Sequence, residues 1–150
     1  MSNSPDFDAS TARFGLPYLF AGQAQKEFTV NEALARIDAL LHPSVIDVAS
    51  DVPSSPEAGD TMLVAVAPTG EFAGHDDELA SWDGTQWTFM TPANGMCLYD
   101  ATAKQWLRYQ DGWQRFTAPL PPSGGVSVDA EARQAIVDLI DILKSFGIFS

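Results

Sequence analysis

His75-Asp76-Asp77-Glu78 is the densest run of side chains able to hold a metal ion or move a proton. Consecutive residues of an extended segment point in different directions, so at most two of the four meet one ion without a special loop. The alternating acids and central glycine of a calcium loop are absent. The run reads as a solvated loop, with a cation site as the alternative. Nucleophilic chemistry is less supported still. Serines, histidines and acids occur without the Gly-x-Ser-x-Gly elbow, and the single Cys97 lies in Met96-Cys97-Leu98-Tyr99 with no cationic neighbour to lower its thiol pKa. That context predicts a core cysteine. Gly124-Gly125 follows prolines and lacks the lysine of a phosphate-binding loop. Paired carboxylates for glycoside hydrolysis work by their separation, which a sequence does not display, and nothing favours them here. No catalytic residue, metal or cofactor is expected.

Aromatic residues carry the other candidate chemistry. Trp82, Trp87, Trp106, Trp113, Tyr99 and Tyr109 concentrate in the second half of the chain. Small antiparallel sheets commonly spend such residues on cross-strand packing, and Trp87 and Trp106 are the expected core members. The other reading makes Trp82, Tyr99, Tyr109 and Trp113 a platform for sugar rings or a partner, since tryptophan and tyrosine act as rigid anchors. Gln86, Gln105, Gln110 and Gln114 would then supply hydrogen bonds to a glycan.

The elements that position these residues follow from pattern. Thr29 with Glu32 three residues on makes a capping box. Val30, Ala33, Leu34, Ile37, Leu40 and Leu41 then recur at helical spacing as one apolar stripe that Pro43 ends. A short separate helix over 23–28 is a further expectation. Residues 61–67 read as a strand. Three units of aromatic strand, tight turn and aromatic strand follow, two of them turning at Asp83-Gly84 and Asp111-Gly112, residues that tolerate positive φ. A Pro-Gly linker precedes a helix from Asp129 to about Ser145, with Gly147 as its left-handed stop. On that helix Ile136, Leu139, Ile140, Leu143 and Phe146 form an apolar face suited to oligomerisation. The fold class is α+β: an N-terminal helical segment, a small antiparallel β meander and a C-terminal amphipathic helix. The expected divisions are a flexible tail (1–12), a docking and helical segment (13–43), a β domain (44–117), a linker (118–127) and an oligomerisation helix (128–150).

At 150 residues the chain suits one domain that buries about 68–70% of its unfolded surface, with no need of disulfides. No apolar run approaches the roughly 20 residues of a membrane helix, and residues 1–10 lack the pattern of a signal peptide. Twenty acidic residues against eight basic ones give a net charge of −12. Nucleic-acid binding is disfavoured, because phosphate contacts need clustered lysine and arginine, and so is an anionic membrane. The charge serves solubility or docking on a basic partner.

Near the N-terminus, Phe14, Leu16, Tyr18, Leu19 and Phe20 place large apolar groups ahead of any strong helix pattern, which marks them as partner-docking residues. The run Leu16-Pro17-Tyr18, then Gln23-Ala24-Gln25-Lys26, then Asn31-Glu32-Ala33-Leu34 with Arg36 and Asp38 resembles the opening of a domain-of-unknown-function family found among structural proteins of tailed phages and gene-transfer agents. Gly22 departs mildly from the alanine usual there. The likeness continues through Glu57-Ala58-Gly59-Asp60, Thr69 to His75 and Trp82 to Trp87, over roughly 12–117. The resemblance implies a non-enzymatic virion protein of a fibre, spike or tail tip, made in the host bacterial cytoplasm. It also implies capsid, tail or fibre partners and a homotrimer. A carbohydrate-binding module for a host-surface glycan is the alternative.

Overall fold

The structure, a computed structural model, describes residues 9–20, 22 and 26–150. The chain divides into two compact units, Met1–Pro92 and Ala93–Ser150. The strands expected in one domain over 44–117 therefore fall in both. Of the expected flexible tail, residues 1–8 lie outside the described residues. Residues 9–12 are built into the fold, and Thr11 is buried.

In the first unit, residues 9–18 form a tight loop closed by the Ser10–Pro17 bridge and by the Tyr18 N–H donating to the Ala9 carbonyl at 3.0 Å. Helix α1 follows over Lys26–Leu40. Its range reaches about a turn ahead of the expected Thr29 cap, and Glu27 Oε1 accepts the Gly22 N–H at 3.2 Å. Thr29 thus lies within the helix, and Glu32 pairs with Arg36 at the surface instead of closing a capping box. Of the helix expected over 23–28, residues 23–25 lie outside the described residues and the rest belongs to α1.

The expected apolar stripe of α1 is also corrected. Val30, Ile37 and Leu41 are exposed, while the buried positions are Glu27, Asp38 and Ala39. Glu27, Asn31, Leu34 and Asp38 share a helix face by their i, i+4, i+7, i+11 spacing, and hydrogen bonds rather than apolar contacts fix that face on the N-terminal loop. Asp38 accepts from Thr11 Oγ1 at 2.6 Å and from the Arg13 and Phe14 N–H groups at 2.9 and 2.8 Å. The Arg13 guanidinium donates to the Asp38, Ala39 and His42 carbonyls, satisfying the acceptors that a helix C-terminus leaves open.

The strands of this unit are β1 (Ser44–Val45), β2 (Val48–Ala49), β3 (Thr61–Val64), β4 (Leu79–Trp82) and β5 (Trp87–Met90). Strands β2 to β5 pair in that order. The β3–β4 and β4–β5 pairs are antiparallel, whereas β2 runs parallel to β3 with Val48 opposite Leu63. The meander is therefore mixed here. Residues 50–60, carrying Pro53 and Pro56, take the chain back to start β3 in the same direction. Met62, Val64, Phe72 and Ala80 form a core against which Trp87 and Phe89 pack. Leu63, Leu79 and Met90, on the opposite face by alternation, are buried too.

The second unit is an antiparallel meander of β6 (Cys97–Asp100), β7 (Gln105–Tyr109) and β8 (Trp113–Gln114), followed by α2 (Ala130–Ser145). Leu98 and Leu107 face each other in register and are buried. Cys97 and Trp106 correct two core expectations: both are exposed, because strand alternation puts them on the face opposite Leu98 and Leu107. Two buried polar groups are satisfied. Asp100 pairs with Arg115, and Gln105 Nε2 donates to the Phe116 carbonyl at 2.7 Å.

Helix α2 matches its expected ends. Asp129 Oδ1 caps the Ala132 N–H at 2.9 Å. At the other end, the Gly147 N–H donates to the Lys144 carbonyl and the Ile148 N–H to the Leu143 carbonyl, a Schellman arrangement. The helix end is tied to β7, because the Gly147 carbonyl accepts the Trp106 N–H at 2.7 Å. No helix among the described residues is long and apolar enough to cross a membrane.

Gly147 has φ +73°, and a Cβ there would lie 2.8 Å from the Lys104 carbonyl oxygen. Left-handed geometry alone costs an L-residue about 1–2 kcal/mol, and the contact adds to it. Gly147→Ala should lower stability by at least that amount in urea unfolding; an unchanged midpoint would contradict the docking of the helix end described here.

Candidate functional site

The first unit holds an open cavity of about 650 Å³, within the range of small-ligand sites. One wall is the end of the N-terminal loop, Tyr18 and Leu19. A second is a flank of α1, from Glu27 and Phe28 through Asn31 to Ala35. The third is the β4–β5 turn and the start of β5, from Asp83 to Thr88.

Each wall is fixed locally. Asn31 holds the loop by a pair of bonds to Leu19, accepting its N–H at 2.8 Å and donating to its carbonyl at 3.1 Å. Asp83 Oδ1 accepts the Thr85 N–H, the Thr85 hydroxyl and the Gln86 N–H, all within 2.9 Å, which locks the turn opened by Gly84. Trp87 is held by the edge-on Phe72 ring at 5.2 Å and by its cross-strand partner Trp82 at 5.2 Å. Glu27 is nine-tenths buried; its Oε2 is enclosed and has no hydrogen-bond partner among the described residues.

The sequence-predicted residues are distributed as follows. Of the docking set, Tyr18 and Leu19 line this cavity and Leu16, within the loop, is half-buried, its N–H bonded to Thr11 Oγ1. Phe14 and Phe20 are about half exposed. Of the oligomerisation set, Ile140 is buried, Leu143 is half-buried, and Ile136, Leu139 and Phe146 are exposed. The platform set consists of half-buried residues in cross-strand aromatic pairs, Trp82–Trp87 in the first unit and Tyr99–Trp106 and Tyr109–Trp113 in the second. Each pair sits beside a hairpin turn, which explains why the aromatic units recur in the sequence.

The His75-Asp76-Asp77-Glu78 run is engaged in structural bonds. His75 stacks on Phe89 at 3.6 Å and its Nδ1 meets Glu78 Oε2 at 2.8 Å, while Glu78 Oε1 accepts from Thr91. Asp76 accepts the Ala67 N–H, and Asp77 takes a left-handed φ of 62°. Among the described residues no three His, Cys, Asp or Glu side chains gather as metal ligands.

Sequence reasoning did not single out Glu27, Asn31 and Asp83 as a group. The helical spacing of Glu27 and Asn31 was a visible signal; the approach of the β4–β5 turn to them is a tertiary fact.

Burial, then the carboxylates of Asp83 and Asp38, raise the Tyr18 phenol above its ordinary 10.0. The folded chain therefore keeps this proton to higher pH than the unfolded chain, so stability falls as pH climbs above about 10. Tyr18→Phe should remove that part of the alkaline decline. Identical alkaline stability profiles for the two proteins would contradict the placement of Tyr18.

No curated protein and no solved structure matches the chain. The family described as Protein of unknown function (DUF2793) matches residues 30–114, from within α1 through β8, which is more than half of the sequence. By that match the chain belongs to the DUF2793 family.

Proposed function

We propose that this protein is a non-enzymatic structural subunit of a tailed-phage or gene-transfer-agent particle. It attaches, or forms part of, a fibre, spike or tail-tip assembly as a homotrimer. The observation that carries the reading is the apolar face of α2. Ile136, Leu139, Leu143 and Phe146 follow three-four spacing, and all but Leu143 are exposed, from 46% at Ile136 to 68% at Phe146. An exposed seam of this kind has its natural partner in a second copy of the same helix. The end of α2 is anchored to β7 through Gly147, so the seam is presented by a fixed element.

Further support comes from the resemblance of residues 12–117 to phage and gene-transfer-agent structural proteins, which also supplies the three-fold symmetry. The groups most able to do chemistry, His75, Asp76 and Glu78, serve ring stacking and loop closure. The negative charge of −12 suits docking on a basic neighbour.

Ile136→Asp with Leu139→Asp alters two exposed positions and leaves the buried Ile140 in place. Light scattering should find the wild type trimeric and the variant a folded monomer, and the variant should no longer co-sediment with intact particles. A wild type that stays monomeric at high concentration and absent from particles would overturn the proposal. Its binding to cell-surface glycans in that state would favour a carbohydrate-binding module instead.

A further inference from the structure

We propose that the cavity of the first unit is a binding site for an organic cation, an alkylammonium or alkylguanidinium group. The site is distinct from the α2 seam, and the proposal does not rest on the assembly role.

Three features of the cavity converge. Among the described residues its titratable lining apart from Tyr18 is wholly carboxylate, Glu27, Glu32 and Asp83, with no lysine, arginine or histidine on any wall. Glu32 answers to Arg36 in an exposed pair, a contact of small worth in water. Asp83 spends Oδ1 on its turn. Glu27 is the decisive group. One of its oxygens accepts the Gly22 N–H, and the other is enclosed with no donor among the described residues. A buried carboxylate oxygen without a donor costs the fold its desolvation, and a bound N–H group would remove that deficit by a charge-assisted bond.

The aromatic lining supplies the second requirement. Tyr18, Phe28 and Trp87 line the same space, and aromatic faces attract ammonium and guanidinium ions, most strongly where water is displaced. An anion is disfavoured by the carboxylates. A neutral sugar would use the aromatic surface but leave the charge uncompensated. The net charge of −12 raises the local concentration of cations around the whole chain.

The same chemistry has two sources, a free small amine or guanidine and the tip of an arginine side chain of a partner protein. Isothermal calorimetry on the full chain separates them with agmatine as the first probe and N-acetyl-arginine methylamide as the second. The neutral controls are N-acetyl-citrulline methylamide and methyl glucoside. Saturable binding of either cation, weakened by salt, with no binding of the controls, is the expected result. The tighter of the two cations identifies the source. Glu27→Gln keeps an oxygen for the Gly22 N–H but removes the charge, and should weaken binding at least about tenfold with little change in Tm. Should that variant fail to fold, Asp83→Asn, which keeps the turn acceptor, should weaken binding severalfold. Equal affinity for the citrulline control, binding of methyl glucoside without either cation, no binding of either cation, or full affinity in whichever variant folds would overturn the proposal.

Discussion

The first unit is organised by one buried carboxylate. Asp38, only 4% exposed, takes a hydroxyl and two backbone N–H groups from Thr11, Arg13 and Phe14. An ionised group in such a place is costly unless its acceptors are filled, and hydrogen bonds to a charged acceptor contribute about 1.5–3 kcal/mol each. Residues 11–14 are thereby held on the last turn of α1. Arg13 completes the arrangement by covering the open carbonyls of the helix end, while its guanidinium lies over the Phe14 ring at 5.4 Å. Thr11 also accepts the Leu16 N–H, so the same hydroxyl links the carboxylate to the loop that follows.

What lies further along α1 depends on that anchor. With the loop fixed at Asp38, Asn31 meets Leu19 seven residues earlier on the helix, and Glu27 meets Gly22 a turn before that. The N-terminal segment thus runs antiparallel along one polar stripe of α1. The stripe ends at the cavity, where Tyr18 and Leu19 face the β4–β5 turn. Two of the five large apolar groups read from the sequence as docking residues, Tyr18 and Leu19, are spent on building this wall, and Leu16 is half-buried. Only Phe14 and Phe20 keep about half their surface exposed.

Elements governed by local rules were legible in the sequence. Asp129 acts by a side-chain bond to the backbone three residues on, Gly147 and the Asp-Gly turns by local turn geometry, and helix α2 and the hairpins lie where those residues put them. The failures share a cause. Val30, Ile37 and Leu41 made an apolar stripe that the fold leaves outside, because the partner of α1 in this unit is a loop full of N–H donors, and it selects the face that bears Asp38, Asn31 and Glu27. Cys97 and Trp106 were misplaced because the side of a strand that becomes buried depends on what covers the sheet. The parallel β2–β3 pair follows from where residues 50–60 lead, which no periodicity encodes. The cavity was invisible for the same reason: its walls come from three separate segments.

The dependence of the N-terminal segment on Asp38 can be measured by residue-resolved amide hydrogen exchange in Asp38→Asn, which retains the volume and one acceptor oxygen but loses the charge. Protection should fall together at Arg13, Phe14, Leu16 and Leu19, while Leu63 and Val64, bonded to the Asp47 and Glu78 carbonyls, keep theirs. Unchanged protection along residues 13–19, or a loss shared equally by Leu63 and Val64, would contradict the central place given to this carboxylate.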